Sequence, residues 1–319
     1  MAAIISGKLV KLGPSQNAMG GTELLAERLL KGINKELFKN INIIFNRPDL
    51  YEQYLDNGKN IFNFQDLPND RMYKNFFKSE IVNRFSHFVF NSDYQKEEFY
   101  NKFDFKIKNT SIIKNSIAPI EIRQKKYDGK VILIYHTTPH RGLELLAHCF
   151  PKIISEYDNV YLKIFSSLKI YGWDQKDKVF EPLYKKLKDM KNVEYSSNVS
   201  NEKIRAELVN SHIFAYPNIW PESSCLAAIE AMSAKNLLVL PNLAALKETA
   251  SKSKFLYNFT NNATEHIKTF HEQLSLAIQY VQKQSNDYDT HLDELKIYAD
   301  KNHNLNEFLK KWEDVLSNK

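Results

Sequence analysis

Short apolar runs alternate with amphipathic segments along most of this chain. Runs such as residues 41–46 (INIIFN) and 130–136 (KVILIYH) have the length and apolar character of buried strands. Segments between such runs, for example residues 22–33 (TELLAERLLKGI), carry apolar side chains at helical spacing. The first apolar run, residues 2–12, is predicted to form one strand. Alternation of this kind predicts an α/β protein with doubly wound, parallel sheets.

The alternation is interrupted once and then restarts, which predicts two domains. Residues 123–130 (RQKKYDGK) are polar and contain a glycine, as a linker would. A chain of 319 residues also exceeds the usual size of a single core. We therefore expect Rossmann-like domains over residues 1–124 and 125–302, followed by a helix over residues 303–319. Ligands of doubly wound sheets bind beyond the carboxyl ends of the strands, so we expect the site in a cleft between the domains.

Composition excludes several classes of protein. Hydrophobic residues make up 43% of the chain and charged residues 26%, which is ordinary for a globular protein. The two cysteines, Cys149 and Cys225, exclude a disulfide framework and a cysteine-rich zinc site. No apolar run is long enough for a membrane span, and the first is too short for a signal peptide, so we expect a cytoplasmic protein. The net charge of +6 is compatible with an acidic partner: a nucleotide, a nucleic acid or, by peripheral contact, an anionic membrane.

Two glutamates in the segment PESSCLAAIEAM are the first candidates for chemistry. Glu222 and Glu230 are eight positions apart, which on a helix is about 12 Å and slightly more than two turns. The start of that helix, with the small residues Ser223 and Ser224, suits a phosphate, and the carboxylates can accept hydrogen bonds from sugar hydroxyls. The same pattern also fits a structural arrangement, in which Glu222 caps the helix and Glu230 pairs with a buried lysine or arginine.

A cation follows the strand predicted at residues 130–136. Arg141 can hold a diphosphate through two parallel hydrogen bonds, and it keeps its charge in any site. An enzyme without a metal needs such a cation to stabilise a leaving diphosphate. His136, in the same loop, is either a second donor to the phosphates or a structural histidine.

Two further pairs follow strands of the first domain. Gly20 and Gly21 let the backbone approach a ligand closely, or simply make a turn. Gln65 and Asp66 can meet an acceptor or a sugar, or serve as a turn before Leu67.

Taken in order along the chain, these motifs resemble a glycosyltransferase of the GT-B fold, most closely family 4, a large retaining group. The similarity covers most of the chain, and its most specific element is the glutamate spacing in PESSCLAAIEAM. The other motifs that carry the resemblance are GGTELLAERLLKGI, FVFNSDYQKEEF, IIKNSI and PHRGLELL.

The resemblance implies a role for each candidate residue. Glu230 would bind the ribose hydroxyls, Glu222 the hydroxyls of the transferred sugar, and Arg141 with His136 the leaving diphosphate. The other donor-binding residues would be Ser223, Ser224, Cys225 and Leu226 at the helix start, Asn198 and Val199 near the base, and Gly20 and Gly21 across the cleft. Gln65 and Asp66 would lie on the acceptor side.

The implied reaction moves a sugar from a nucleoside-diphosphate sugar to a hydroxyl of a saccharide, lipid-linked or other acceptor, with retention of configuration. A leaving-phosphate oxygen can take the acceptor's proton, so no protein base is required. No acidic metal-binding pair is visible, so we expect neither a metal nor another cofactor. The fold also implies that the last helix packs back on the first domain. Its apolar stripe consists of Leu305, Phe308, Leu309, Trp312 and Val315.

The chain departs from the family pattern at several glycines. Ser116 stands where the first domain usually closes on a glycine, and Cys225 replaces the glycine of the glutamate loop. Lys235 and the pair Ala244-Ala245 replace later glycines. Because glycines relieve close backbone approaches, these replacements leave the pose of the donor open. The family also commonly has a second basic residue at His136 and a histidine at Gln65.

Two alternatives remain beside the enzyme. One is a non-catalytic protein that binds sugar nucleotides with the same fold. The other is a sugar transferase that acts on DNA, although a solvated lysine-rich surface explains the charge more simply. A nucleotide-dependent oxidoreductase is disfavoured, because no G-x-G-x-x-G sequence follows the first strand.

Overall fold

The computed structural model describes residues 2–12, 18–77, 80–103, 109–125 and 127–317. These residues form two α/β domains, each built around its own sheet, and the predicted fold class is confirmed. The predicted domain boundary at residue 124 falls in the segment between the two sheets. Part of the predicted first loop (residues 13–17), part of the predicted linker (Lys126) and residues 318–319 lie outside the described residues.

The sheet of the first domain is mostly parallel. Its order is β2-β1-β3-β4-β5-β6, and the strands from β3 to β6 run in the same direction. The strands are β1 (Ala2–Ile5), β2 (Lys8–Lys11), β3 (Ile41–Phe45), β4 (Lys59–Asn63), β5 (His87–Phe90) and β6 (Thr110–Ile112). The helices are α1 (Gly21–Gly32), α2 (Arg71–Phe76) and α3 (Asp93–Phe103), with 3-10 turns at Lys35–Phe38, Pro48–Tyr54 and Glu80–Arg84.

The first apolar run forms a hairpin, so the prediction of one strand was wrong. Ser6 and Gly7 both have positive φ, at 45° and 79°, which makes a two-residue turn. Strands β1 and β2 pair antiparallel, with Ile5 opposite Lys8. Strand β1 is also antiparallel to β3, so β2 points the same way as β3. The loop after β2 therefore still leads to the carboxyl edge of the sheet, and α1 begins there.

The sheet of the second domain is entirely parallel, with the order β12-β11-β10-β7-β8-β9. The strands are β7 (Val131–Tyr135), β8 (Val160–Phe165), β9 (Val193–Ser196), β10 (Ile213–Ala215), β11 (Leu237–Pro241) and β12 (Phe255–Tyr257). The helices are α4 (Leu143–Glu156), α5 (Asp174–Asp177), α6 (Glu181–Lys188), α7 (Asn201–Asn210), α8 (Leu226–Ser233), α9 (Leu246–Thr249), α10 (Ala263–Lys283) and α11 (Tyr288–Asn302). The strand order reverses between β7 and β10, and doubly wound sheets bind ligands at such a point.

The last helix, α12 (Leu305–Ser317), packs on the first domain, as predicted. Trp312 is fully buried there, and Phe308 and Val315 join the same apolar cluster as Leu29 of α1. The helices meet closely, since a Cβ on Gly32 would lie 2.4 Å from Leu309 Cδ1. The chain therefore crosses from the second domain back to the first.

Two positions at which the resemblance implies glycine have a left-handed backbone. Lys235, two residues after the end of α8, has φ of 57°, and Ala244, in the loop after β11, has φ of 52°. Cys225 differs, because its φ of −152° is extended and open to any residue. The Ala244 loop supports the candidate site, since the Ala245 N–H donates to the Glu222 carbonyl at 3.1 Å. Lys235 and Ala244 therefore carry local backbone strain that a glycine would relieve.

We predict opposite effects of glycine at two adjacent alanines. Ala244→Gly should raise the free energy of unfolding by about 0.5–1 kcal/mol, because the relief of left-handed strain exceeds the added entropy of the unfolded chain. Ala245→Gly is the matched control. Because Ala245 has φ of −68° and is fully buried, glycine relieves no strain there, and the variant should be less stable than the wild-type protein. Urea unfolding of both variants measures this difference. Equal losses in the two variants would contradict the strain assigned to Ala244.

Candidate active site

The reversal point of the second sheet brings together two loops. Arg141 follows β7, and Glu222 follows β10. Gly142 has φ of 112°, and a Cβ there would lie 2.0 Å from the Pro217 carbonyl oxygen. Glycine is therefore required at this position, both for its φ and for the close contact that seats the Arg141 loop against the β10 loop.

Arg141 and Glu222 form a buried ion pair at this point. Arg141 Nη1 donates to Glu222 Oε1, and the Tyr216 hydroxyl donates to the same oxygen at 2.7 Å. The side chains are 21% and 8% exposed. Burial by itself lowers the pKa of Arg141, but the charge of Glu222, with Tyr171 and Tyr216, outweighs this and raises it well above its usual value. The site therefore holds a permanent cation and a fixed carboxylate.

His136 is neutral at physiological pH. Burial lowers its pKa to about 3, and its ring packs against Phe214 with centroids 4.9 Å apart. Among the described residues, His136 Nε2 and Thr138 Oγ1 are buried atoms without a hydrogen-bond partner. Native structures rarely leave buried polar atoms unpaired, so these two atoms indicate a place for water or a ligand.

The start of α8 lies against the first domain. Its N-cap residue, Cys225, makes no capping hydrogen bond through its side chain, and its first turn carries no acidic residue. Ser223 Oγ donates to the Gln65 carbonyl at 2.6 Å and accepts from Asn91 Nδ2 at 3.0 Å. Ser92 Oγ donates to the Ser223 carbonyl at 2.6 Å. The predicted donor-side serine and the predicted acceptor-side glutamine are therefore in direct contact.

The Gly20-Gly21 pair faces the second domain across the cleft. A Cβ on Gly20 would lie 2.7 Å from Tyr171 Cε1, and one on Gly21 would lie 3.0 Å from Leu226 Cδ1. The contact extends to the backbone, since Met19 N–H donates to the Ile170 carbonyl at 3.0 Å. Small residues are needed here because the two domains touch.

Glu230 is held by three polar side chains. Asn201 Nδ2 donates to both carboxylate oxygens, at 3.2 and 3.1 Å. Arg205 Nη1 lies 3.5 Å from Oε1, and Arg28 Nη2, from α1 of the first domain, lies 3.7 Å from it. Burial raises the pKa of Glu230, while Asn201 and the two arginines oppose the rise. This geometry corresponds to the alternative considered above, in which Glu230 has a structural role as the partner of a basic residue; here two partly buried arginines pair with it.

The two arginines also bind the segment that joins the domains. Arg28 Nη1 donates to the Ser116 carbonyl, and Arg205 Nη2 donates to the carbonyls of Ala118 and Pro119 at 2.9 and 3.0 Å. Glu230, two cations and the interdomain segment thus form one network. The sequence pattern did not identify Arg28, Arg205, Asn201 or Tyr216. Arg28, Asn201 and Arg205 are far from Glu230 in the chain and leave no local signal, while Tyr216 stands in a strand-like apolar run that gives no sign of its hydrogen bond to Glu222.

Asn198 and Val199 lie in the loop between β9 and α7, which leads to Asn201. The Asn198 side chain is exposed and accepts from Ser197 Oγ at 3.2 Å, while Val199 is partly buried against the core of the second domain. Ser224 is buried beside Ser223, and among the described residues neither it nor Asn198 is a hydrogen-bond partner of Glu230.

Asp66 is fixed in the cleft by Asn46. Asn46 Nδ2 donates to Asp66 Oδ2, while Asn46 Oδ1 accepts from the Gln65 N–H at 2.8 Å and the Tyr73 hydroxyl at 2.6 Å. Part of the Asp66 side chain is exposed to solvent, while its carboxyl is enclosed by neighbouring protein. Desolvation by these neighbours, followed by the negative charge of Asp70, raises the pKa of Asp66 to about 6.

Over the residues that the structure describes, no cluster of three or more histidine, cysteine, aspartate or glutamate side chains could hold a metal ion. In the same part of the chain, no helix combines the length and apolarity needed to span a membrane.

The family follows from the sequence of the second domain. The model described as glycosyl transferases group 1 matches residues 118–286, which is just over half of the chain. The chain belongs to this family. No curated protein sequence matched it.

Solved structures show the same fold at low sequence identity. A glycosyltransferase from Rickettsia africae is 16% identical, with a TM-score of 0.67 over 97% of this chain and 85% of its own. HepE from Anabaena, in complex with UDP-glucose, is 12% identical, with a TM-score of 0.65 over 93% of this chain and 82% of its own. TarM from S. aureus, in complex with UDP, is 15% identical, with a TM-score of 0.60 over 92% of this chain but 59% of its own. These likenesses confirm the GT-B architecture.

We predict that Asp66→Asn stabilises the protein above pH 6. The folded pKa of about 6 exceeds the value of about 3.9 in an unfolded chain, so the folded protein holds more protons between these values. Its free energy of unfolding should therefore fall as the pH rises through this window. Asparagine removes the ionisation and still accepts from Asn46. Urea unfolding should show a higher free energy of unfolding for Asp66→Asn than for the wild-type protein at pH 7.5, and this difference should shrink at pH 4.

Asp174→Asn, at an exposed position of the second domain, serves as the control and should show no such pH-dependent gain. A loss of stability in Asp66→Asn at pH 7.5 would contradict the raised pKa.

Proposed function

We propose that this chain transfers a sugar from a nucleoside-diphosphate sugar to an acceptor hydroxyl, with retention of configuration and without a metal ion. The observation that carries the proposal is the Arg141–Glu222 pair, which lies at the reversal point of a parallel sheet, close to the start of α8. A fixed cation, a helix start and a carboxylate are the groups that a diphosphate and a sugar need.

Arg141 and the start of α8 bind the diphosphate. A guanidinium has five N–H donors, and among the described residues its side chain hydrogen-bonds to Glu222 alone. The remaining donors are available for phosphate oxygens. The N–H groups at the start of α8 also stabilise the negative charge of the diphosphate through the helix dipole. His136, being neutral, contributes a hydrogen bond and no charge.

Glu222 orients the transferred sugar. Its Oε1 is engaged by Arg141 and Tyr216, which leaves Oε2 to accept from a sugar hydroxyl. Because the Glu222 carboxylate is ion-paired with the Arg141 guanidinium, it is a weak nucleophile. This favours a reaction without a covalent sugar–enzyme intermediate. The acceptor hydroxyl then attacks from the face that the diphosphate leaves, and a phosphate oxygen takes its proton, so configuration is retained.

Donor entry separates contacts between the domains. Ser223 is engaged by Gln65 and Asn91, and Glu230 by Arg28. We propose that ribose hydroxyls exchange with Arg28 at Glu230, and that the first domain closes again once the donor is bound.

A donor screen tests this proposal. The protein is incubated with UDP-, GDP-, ADP- and CMP-sugars, and thermal shift and nucleotide release are recorded with and without EDTA. We expect one class of donor to raise the Tm and to release nucleotide equally with EDTA, with the anomeric configuration retained by NMR. Binding without release would support the non-catalytic alternative, and transfer to DNA alone would support the DNA-acting one.

Variants then assign the roles. Arg141→Met should lower kcat by about 10²–10³-fold while the protein stays folded, because the leaving charge loses its cation. Glu222→Gln should reduce transfer more than nucleotide binding. Arg84→Met removes a partly buried arginine that is paired with Glu52 and Asp56 away from the site; it is the matched control and should be active. Full activity of Arg141→Met would overturn the assigned diphosphate site.

A further inference from the structure

The loop after β8 reaches from the second domain to the first. It covers residues 166–172 and contains a short 3-10 turn. The Met19 N–H of the first domain donates to the Ile170 carbonyl at 3.0 Å, and the Tyr171 ring lies against Gly20. We propose that Tyr171 closes the candidate active site to water, so that the bound sugar passes to its acceptor and is not lost to hydrolysis. This inference rests on the proposed function.

The loop is fixed on the second domain by one buried carboxylate, that of Asp177. Ser167 Oγ donates to Asp177 Oδ2 at 2.8 Å, and the Leu168 N–H donates to Oδ1 at 2.7 Å. The Tyr184 hydroxyl donates to the same Oδ1 at 2.7 Å, and Gly172 ends the turn with φ of 69°. Because these contacts all lie within the second domain, the loop keeps its shape when the domains separate. Its contact with the first domain therefore forms when the cleft closes.

Gly20 makes room for the Tyr171 ring. A Cβ on Gly20 would lie 2.7 Å from Tyr171 Cε1 and 3.2 Å from Cδ1, which is closer than side chains normally pack. Gly20 has φ of −73° and ψ of −178°, an extended conformation that any residue can adopt. Glycine is therefore needed here for space and not for its backbone freedom. Its bare backbone lets the ring lie directly on the first domain.

Tyr171 also lies close to the charged groups of the candidate active site. Burial raises its pKa, the charge of Arg141 opposes the rise, and the charges of Glu222 and Asp66 add to it. These groups belong to both domains, so the phenol lies where the two walls of the cleft meet. Its ring is backed by the Trp173 ring, with centroids 5.1 Å apart. An aromatic side chain in this place displaces water from the part of the cleft beside the Arg141–Glu222 pair.

Exclusion of water matters because the proposed mechanism does not itself distinguish an acceptor from water. The bond between the anomeric carbon and a diphosphate oxygen breaks, a bond to the acceptor oxygen forms, and the acceptor's proton passes to a phosphate oxygen. Water has the same O–H group and can replace the acceptor in each of these changes, which gives free sugar and nucleoside diphosphate. Since no protein base selects the nucleophile, the closed cleft has to favour the acceptor.

Donor hydrolysis without any acceptor tests the inference. The UDP-, GDP-, ADP- and CMP-sugars of the donor screen are incubated with the protein in buffer alone, and free sugar and nucleotide are measured. Tyr171→Ala should hydrolyse the preferred donor at least about tenfold faster than the wild-type protein, because water then reaches the anomeric carbon. Gly20→Ala should also raise hydrolysis, because its methyl group displaces the ring. Tyr171→Phe should keep the low rate, since the ring and not the hydroxyl excludes water.

Two measurements control for general damage to the protein. Tyr161→Ala removes a partly buried tyrosine near the amino end of β8, at the opposite edge of the sheet from the cleft, and should hydrolyse the donor as slowly as the wild type. Hydrogen–deuterium exchange without a donor reports the contact itself. The Met19 amide, which donates to the loop, should exchange faster in Tyr171→Ala than in Tyr171→Phe or the wild type.

The possible failures are distinguishable. Unchanged or slower hydrolysis in Tyr171→Ala or Gly20→Ala, in a protein whose wild type binds and turns over a donor, overturns the inference alone. A change in Tyr171→Phe as large as that in Tyr171→Ala also overturns it, because the hydroxyl would then be the group that acts. A wild-type protein that binds no nucleotide sugar overturns the proposed function, and the inference with it.

Discussion

The buried pair of Arg141 and Glu222 is the interaction on which the candidate site depends. Two charges withdrawn from water are costly unless each satisfies the other, so removal of either partner leaves an uncompensated charge. The loops after β7 and β10 hold the two side chains together, and Gly142 permits the close contact between these loops. Tyr216 donates to Glu222 Oε1, the oxygen that also accepts from Arg141, and the Ala245 N–H donates to the Glu222 carbonyl. The fold places a cation and a carboxylate at the reversal point of its sheet, where a ligand is expected.

The contacts between the domains use the same residues that the family resemblance assigns to the donor. Ser223 contacts the first domain through Gln65 and Asn91, and Glu230 does so through Arg28. A ligand that binds these groups competes with the contacts and shifts the balance between closed and open arrangements by its differential affinity for the two. Under the proposed function, binding and domain motion would be linked by shared hydrogen-bonding groups rather than by a distant pathway.

Local signals in the sequence predicted much of the fold and of the site. Alternating strands and helices predicted both sheets, and the apolar stripe with Trp312 predicted the face of the last helix that is buried. The Ser6-Gly7 turn was missed because the apolar run continues through it, and β12 was missed because only three consecutive apolar residues, Phe255 to Tyr257, mark it in the sequence. The hydrogen bonds and ion pairs of Glu230, and the hydrogen bond from Asn46 to Asp66, join residues far apart in the chain. Periodicity and spacing therefore could not predict them.

Hydrogen–deuterium exchange with a bound nucleoside diphosphate tests the central claim most directly, namely that the Arg141 loop and the start of α8 hold the diphosphate. The account predicts slower exchange at backbone amides of residues 139–142 and 224–228. Protection confined to other segments, with these two unchanged at saturating nucleotide, would contradict it.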